Sequence, residues 1–285
     1  MSAVTQAIAE AIAARGGAAM YRWRRMERRR IDTLLAERGL AGSRTSAAES
    51  IRAGRVRVGR DGPRATKPGQ LVPDDVELLV DGERRYVSRG GLKLEHALNA
   101  LEMDVTGLSC LDVGASTGGF TDCLLRRGAG RVIAVDVGYG QLDWTLRKDP
   151  RVDVMERVNA RHLRPGLLAF APELATVDLS FISLAKVLAS VTACLGETGE
   201  ILALVKPQFE LGRGRVRGGV VHAAEERREA LVTVAAAAEE AGLVVKAFAA
   251  SGLRGPKGNR ETFIRCATGG EGVPDVAAAV AEVEP

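Results

Sequence analysis

Long apolar runs are missing from this 285-residue sequence: no stretch of ~18 or more apolar residues occurs, so no membrane-spanning helix is expected. Cysteine is scarce, with four residues at positions 110, 123, 194 and 266, too far apart for a CxxC pair. That spacing argues against a disulfide scaffold or a zinc site and for reduced thiols in a cytoplasmic core. The three histidines, His96, His162 and His222, are equally scattered and offer no metal-ligand spacing, so no metal is expected. The Ala-rich start carries Glu10 and Arg15 without a basic segment ahead of an apolar core, which makes a signal peptide unexpected.

What is present describes a globular chain: 46% hydrophobic and 27% charged residues, long enough for a large domain with a small companion. The net charge of +4 conceals an uneven distribution. Residues 20 to 93 hold 18 Lys+Arg against 10 Asp+Glu, whereas residues 94 to 285 hold 21 against 25. A basic front module joined to a mildly acidic one suggests a polyanionic partner for the front. Residues 1–25 combine helix formers, a Gly-Gly break and an Arg cluster. They read as a disordered extension, with Met20 or Met26 as alternative starts.

From Arg30 onward two short helices and a few strands are expected. Ile31, Leu34 and Leu35 form one apolar helical stripe that Gly39 ends, and Ser43 or Thr45 caps a second helix through Ile51, stopped by Gly54. In the following R-V-R-V-G-R the arginines share one face of a strand. Arg30, Arg44, Arg52, Arg55 and Arg57 therefore make either a polyanion-binding surface or a solvated charged face, with few acidic partners at helical spacing to neutralise them. The pattern R-h-D-x-x-L, S-R-x-x-A and I-x-x-G-x-V-x-V resembles the S4 RNA-binding domain, which implies phosphate-directed binding of structured RNA. Boundaries are expected at 26–82 for this module, 83–87 for a linker, 88–270 for a second domain and 271–285 for a C-terminal tail. The second domain begins with a helix at S-R-G-G-L-K-L-E-H-A-L-N-A-L, capped by Ser88 with Leu92, His96 and Leu101 near one side.

Seven short apolar runs then alternate with helical segments, beginning near residues 110, 131, 152, 174, 200, 244 and 261, as buried parallel strands of a doubly wound α/β sheet do. Ligands of such sheets bind beyond the carboxyl ends of the strands, at the switch point. The first run ends in Gly114, Ala115, Ser116, Thr117, Gly118, Gly119 and Phe120, a glycine turn opening a helix. Its G-x-x-x-G-G spacing is neither the dinucleotide fingerprint nor a Walker loop. The second run ends in Asp136, placed to accept both hydroxyls of an adenosine ribose. Asn159, Asp178 and Leu179 are further candidates for cofactor contacts.

D-V-G-A-S-T-G-G-F followed by V-D-V-G resembles the site of S-adenosylmethionine-dependent methyltransferases. The order S4 module, S-R-G-G-x-K-L, D-V-G-A-S-T-G-G-F-T-D, D-L-S-F-I-S-L, V-K-P-Q-F-E and G-N-R-E is similar to that of the TlyA (haemolysin A) family over Arg30 to Ile264. The resemblance implies a Rossmann-like, FtsJ-like methyltransferase domain with a mostly parallel sheet behind a small α+β S4 domain. It further implies S-adenosyl-L-methionine as cofactor, cytidine 2′-O-methylation of ribosomal RNA within ribosomal subunits, a cytoplasmic location, and neither a membrane nor an obligate protein partner. Tyr86 departs from the pattern, which often carries Trp in the connector.

A ribose hydroxyl attacking a sulfonium methyl must be aligned and relieved of its proton, and needs no metal. Two lysines close together would lower one another's pKa toward that of a working base. Asp178, Lys206 and Glu261 lie at run ends, and Lys93 on the helix before the first run. The resemblance gives these four positions a K-D-K-E tetrad: Lys206 as base or hydroxyl orienter, Asp178 and Glu261 as carboxylates that hold the lysines, Lys93 as second cation. The loop at 212–219, rich in Gly and Arg, either closes over RNA phosphates or remains a surface loop. Base methylation is disfavoured, since Asp178-Leu179-Ser180-Phe181 lacks the prolines of a D/N-P-P-Y/F loop and no cysteine follows proline. A pseudouridine synthase would need R-L-D-x-x-T-x-G-L, and no β-hairpin series supports a lytic role. A non-catalytic RNA-binding assembly factor remains the alternative.

Overall fold

The computed structural model describes residues 28–38, 40–59, 62–80, 86–212, 214–216 and 218–285. Residues 1–25, Met26, Gly39, Arg213 and Arg217, on which parts of the sequence reading rest, lie outside them. The chain divides into two compact units, Met1–Glu83 and Arg84–Pro285.

The first unit holds β1 (Arg28–Arg30), α1 (Ile31–Glu37), α2 (Arg44–Arg52), β2 (Val56–Val58), β3 (Leu71–Pro73) and β4 (Leu78–Val80). β1 pairs with β3 and β2 with β4, both antiparallel. Ser43 is the N-cap of α2, its side chain accepting from the Ser46 N–H at 3.1 Å, while Thr45 lies inside the helix. Ile31, Leu34 and Leu35 of α1 and Ala47 and Ile51 of α2 are buried together with Val56, Val72 and Leu78, which makes a small core of mixed helix and strand.

The second unit holds α3 (Arg89–Ala100), β5 (Ser109–Val113), α4 (Gly119–Arg126), β6 (Arg131–Asp136), α5 (Trp144–Arg147), β7 (Val152–Glu156), β8 (Leu174–Val177), α6 (Leu188–Thr192), β9 (Glu200–Val205), α7 (Pro207–Glu210), α8 (Ala224–Glu240), β10 (Val244–Ala250), β11 (Thr262–Ala267) and α9 (Val276–Val283). One seven-stranded sheet runs β10-β11-β9-β8-β5-β6-β7. Every strand read from the sequence is present, but β11 runs antiparallel to both its neighbours. The reason is the connection: residues 251–261 contain no helix and cannot carry a crossover, so the chain must turn back. Alternate residues of the central strands feed two cores. Leu111, Val113, Ile133 and Val135 pack toward α6, α8 and α9, whereas Cys110, Val132 and Ala134 pack toward α3 and α4.

Three sequence readings are corrected. The buried face of α3 is Leu94, Ala97 and Leu98, whereas His96 is exposed, because the helix starts at Arg89 and lays that stripe on the sheet. Of the connector expected at 83–87, residues 83–85 lie outside the described residues, while the rest is packed into the second unit: Tyr86 is buried, its hydroxyl donates to Glu95 at 3.0 Å, and the Val87 N–H donates to Asp122 at 2.8 Å. The expected tail at 271–285 contains α9, capped by Asp275, with Val280 in the core and the Glu284 carboxylate buried against Arg227 at 2.7 Å.

Candidate active site

The switch point of the sheet lies where β5 meets β6 on one side and β8 on the other. Here the chain leaves β5 through Gly114 at φ +90, and a Cβ on that residue would stand 2.4 Å from the Asp178 carbonyl oxygen. Only glycine fits both the backbone and the close approach. Gly118, at φ +93, is the N-cap of α4, where a Cβ would meet Leu146 and Leu142. Between them Ser116 and Thr117 are exposed. Ser116 keeps φ +49, a conformation uncommon outside glycine, and its N–H donates to Asp136 Oδ2 at 2.8 Å.

Asp136 ends β6, and its Oδ1 accepts from the Gly138 N–H at 2.6 Å. Each carboxylate oxygen thus has one backbone donor and keeps acceptor capacity for a second, which suits the two hydroxyls of a ribose. Val137, next in the chain, is 72% exposed and offers an apolar face beside that carboxylate. The bare turn and the half-used carboxylate together fit an adenosine-bearing cofactor. Leu179 reaches over Gly114, its Cδ2 3.0 Å from where a Cβ would be. Asn159 spends its Oδ1 locally, accepting from the Arg161 N–H at 3.1 Å as cap of a short 3-10 turn.

Behind the turn sits a group that the sequence reading passed over. Asp112 is fully buried on β5; its Oδ2 accepts from the N–H and hydroxyl of Thr121 at 2.9 and 2.7 Å, and its Oδ1 from Thr176 at 3.3 Å. Burial pushes its carboxyl up to about 7, the Thr121 hydrogen bonds opposing and the nearby Asp178 charge reinforcing the rise. The signal in the sequence is a carboxylate inside an otherwise apolar strand. The four cysteines are buried too, and burial pushes the thiols of Cys110, Cys123 and Cys266 up to about 12, which leaves them unreactive.

The four charged residues expected to act together are delivered by different elements. Asp178 follows β8 and Lys206 follows β9, two parallel neighbours. The antiparallel register of β11, with Thr262 opposite Val205, carries Glu261 to the level of Lys206. Lys93, on α3, forms a buried ion pair with Glu261. Lys206 Nζ lies 2.6 Å from Asp178 Oδ1 and donates to Ser180 Oγ at 3.1 Å. Two lysine–carboxylate pairs therefore meet at one edge of the sheet, each lysine held by an acid. Asp178 Oδ1 is buried and out of line for a hydrogen bond with that ammonium, so it retains an unused acceptor site.

Phe181, also unassigned by the sequence reading, is 91% exposed with φ +68, and its ring centroid lies 5.4 Å from that of Phe209. Its loop is held in place by Glu210, which accepts from Ser183 Oγ at 2.5 Å and from the Leu184 N–H at 3.0 Å. An aromatic ring kept in solvent by a strained backbone, three residues past a charged strand end, marks a flat apolar surface facing outward.

Among the expected RNA-contacting arginines of the first unit, Arg30 is committed to Asp32 through two hydrogen bonds at 3.0 and 2.7 Å. Arg44 lies 3.7 Å from the same carboxylate, and Arg55 donates to Ser50 Oγ at 3.1 Å. Arg52 is exposed at the last turn of α2, and Arg57 is half-buried on β2.

Residues 86–268 match the FtsJ-like methyltransferase family and residues 29–78 the S4 domain. The 16S/23S rRNA (cytidine-2′-O)-methyltransferase TlyA of Mycobacterium tuberculosis is 52% identical over 240 residues, 83% of this chain and 89% of that protein. The 23S rRNA (cytidine-2′-O)-methyltransferase TlyA of Campylobacter jejuni is 34% identical over 205 residues, covering 69% of this chain and 79% of that one. A solved Streptococcus thermophilus structure, described as a presumptive hemolysin, superposes with TM-score 0.71 at 40% identity over 90% of this chain and 96% of that one. The turn after β5, the carboxylate ending β6 and the paired lysines stand on a chain that belongs to the TlyA (haemolysin A) family, FtsJ-like methyltransferases preceded by an S4 domain.

Proposed function

We propose that this chain transfers a methyl group from S-adenosyl-L-methionine to the 2′-hydroxyl of a cytidine in ribosomal RNA. The observation that carries the reading is the pairing of Lys206 with Asp178 at the carboxyl ends of β8 and β9, beside the bare turn at Gly114. Gly114 to Phe120 would hold the cofactor and Asp136 its ribose, with Leu179 packed over the turn. When bound, the cofactor supplies an electrophilic sulfonium methyl and a neutral thioether leaving group.

The residues of the chain account for the rest. The Lys206 ammonium has three donors; Ser180 takes one, and Asp178 at 2.6 Å pairs with its charge without taking a hydrogen bond, which leaves donors for the 2′-oxygen. Donation at that atom fixes the direction of attack, and the Asp178 carboxylate, 23% exposed although its Oδ1 is buried, would accept the hydroxyl proton through its other oxygen as the methyl group is transferred. Lys93 and Glu261 form the second pair and keep the set neutral overall, so that no bare charge is left buried. Phe181 offers its ring to the face of the target base. The S4 unit grips RNA phosphates through its surface arginines.

The test is incubation of the full chain with ribosomal subunits and radiolabelled S-adenosylmethionine, followed by nuclease digestion. Label on the ribose of a cytidine is expected. Label on a base, or none in RNA, overturns the reading.

A further inference from the structure

The loop joining β10 to β11 does more than deliver Glu261. Because β11 is antiparallel to β9, this loop lies at the same sheet edge as the carboxyl ends of β8 and β9. Arg254, Lys257 and Arg260 of the loop, with His222 from the segment leading into α8 and Arg227 from the start of that helix, line a cleft of about 430 Å³. Arg227 is neutralised there: it is buried, with Nε 2.7 Å from Glu284 Oε2 and Nη1 donating to the His222 carbonyl at 2.7 Å. The other three cations differ. Arg254, Lys257 and Arg260 are exposed, and among the described residues none forms an ion pair; Arg254 donates to the Gly258 carbonyl at 3.2 Å.

The walls of this cleft are fastened together. Asn259 is 2% exposed, its Nδ2 donates to the Gly219 carbonyl at 2.8 Å, and its Oδ1 accepts from the Val221 N–H at 2.9 Å. One buried amide thus ties the cationic loop to the opposite wall, so the cleft is a built feature and not a chance meeting of mobile side chains. Burial alternates from Asn259 (in) through Arg260 (out) to Glu261 (in), which turns Arg260 outward one residue before the carboxylate that holds Lys93. Three like charges without counter-charge repel one another, and an anion relieves that repulsion. The volume is generous for a single small anion and suits a segment of sugar and phosphate.

We propose that this cleft is a phosphate-binding subsite that holds the backbone of the RNA strand beside the nucleotide being methylated, with Arg254, Lys257 and Arg260 on its phosphodiester oxygens. The proposal rests on the reading of the chain as an RNA ribose methyltransferase and adds a second grip, on the catalytic unit itself. Its test is equilibrium filter binding of ribosomal RNA to the full chain over a range of salt, wild type against the triple variant Arg254→Gln, Lys257→Gln, Arg260→Gln. Loss of three contacts to unpaired strand should weaken binding tenfold or more and flatten the slope of log K against log salt by about 2. Calorimetric binding of S-adenosylmethionine should stay as in wild type. Should the triple variant fail that folding control, Lys257→Gln and Arg260→Gln are measured singly, each expected to flatten the slope by about 0.7. An unchanged slope overturns the proposal. So does a thermal shift by inorganic phosphate that the variant loses while its RNA slope stays intact, since the cleft would then be a site for free phosphate. Methyl transfer by the wild type is read separately: binding that depends on the three cations without any transfer would sink the proposed function alone, and transfer with an unchanged slope would sink the cleft alone.

Discussion

The two units handle charge in opposite ways. In the S4 unit the arginines stand at the surface of a small core, with Arg44 and Arg52 exposed and Arg30 tied to Asp32. In the methyltransferase unit Lys93, Lys206 and Glu261 are buried and matched one to one with partners of opposite sign. Exposed charges act on a polyanion additively, over a Debye length, and fade with salt. Buried pairs act at one atom and fail when either member is lost. On the proposed function, binding would be distributed over many replaceable cations and chemistry concentrated in a few irreplaceable ones.

The sharpest way to break that contrast is Lys206→Ala. Methyl transfer should fall by roughly 10³-fold or more, as for loss of a group acting on the reacting oxygen, while RNA binding by filter assay stays within about twofold. A variant that keeps its activity would place the chemistry elsewhere. Next in size is Gly114→Ala, whose methyl group would meet the Asp178 carbonyl in a left-handed backbone. Cofactor affinity measured by calorimetry should drop at least about tenfold and the unfolding free energy by roughly 2 kcal/mol.

Two buried carboxylates respond to pH in opposite directions. Asp112 holds its proton up to about pH 7 because burial disfavours its charge, so its contribution to stability is complete in acid and is lost as pH rises through 7. Asp32 of the S4 unit is the reverse: hydrogen bonding to Arg30 holds its carboxyl below the usual range, so its contribution is present at neutral pH and is lost on acidification. Between about pH 5 and pH 8 the wild type should therefore lose stability relative to Asp112→Asn by on the order of 1 to 3 kcal/mol, read by denaturant titration. Parallel curves would show that Asp112 is charged throughout.

The smallest effects belong to the front unit. Arg44→Gln with Arg52→Gln should weaken RNA binding several-fold and flatten its salt slope by about 1 to 2, with turnover at saturating RNA unchanged. Arg55→Ala should do less than either, since its guanidinium is already engaged by Ser50. An activity lost at saturating RNA in these variants would show that the S4 arginines reach into the chemistry.

Much of this molecule was legible in advance because its signals are local. Ser43 and Ser88 cap the helices that the spacing assigns to them, and each apolar run from Cys110 to Ala267 is a strand. The turn at Gly114 and the acid at Asp136 meet as expected, since one βαβ unit brings them together. What was not legible depends on contacts distant in sequence. The stripe of α3 was misread because which face is buried depends on the sheet it covers, and the tail proved to be a helix because Val280 and Glu284 find partners far upstream. Phe181 and Asn259 carried no periodic signal, and their meaning lies in exposure and in the loops they face.

By itself the sequence determined the division into a basic front and a catalytic rear, the strand-and-helix alternation, and the residue types at the strand ends, all of which follow from charge, period and glycine chemistry within short windows. Only the tertiary structure decided that β11, running backward, pairs with β9. That reversal sets Glu261 level with Lys206, joins it to Lys93 from the other end of the domain, and leaves Arg254, Lys257 and Arg260 at the same edge. The physical reason is that a short helix-free connection requires only that the chain turn back, whereas the neighbour with which β11 pairs and its register are set by contacts distant in sequence.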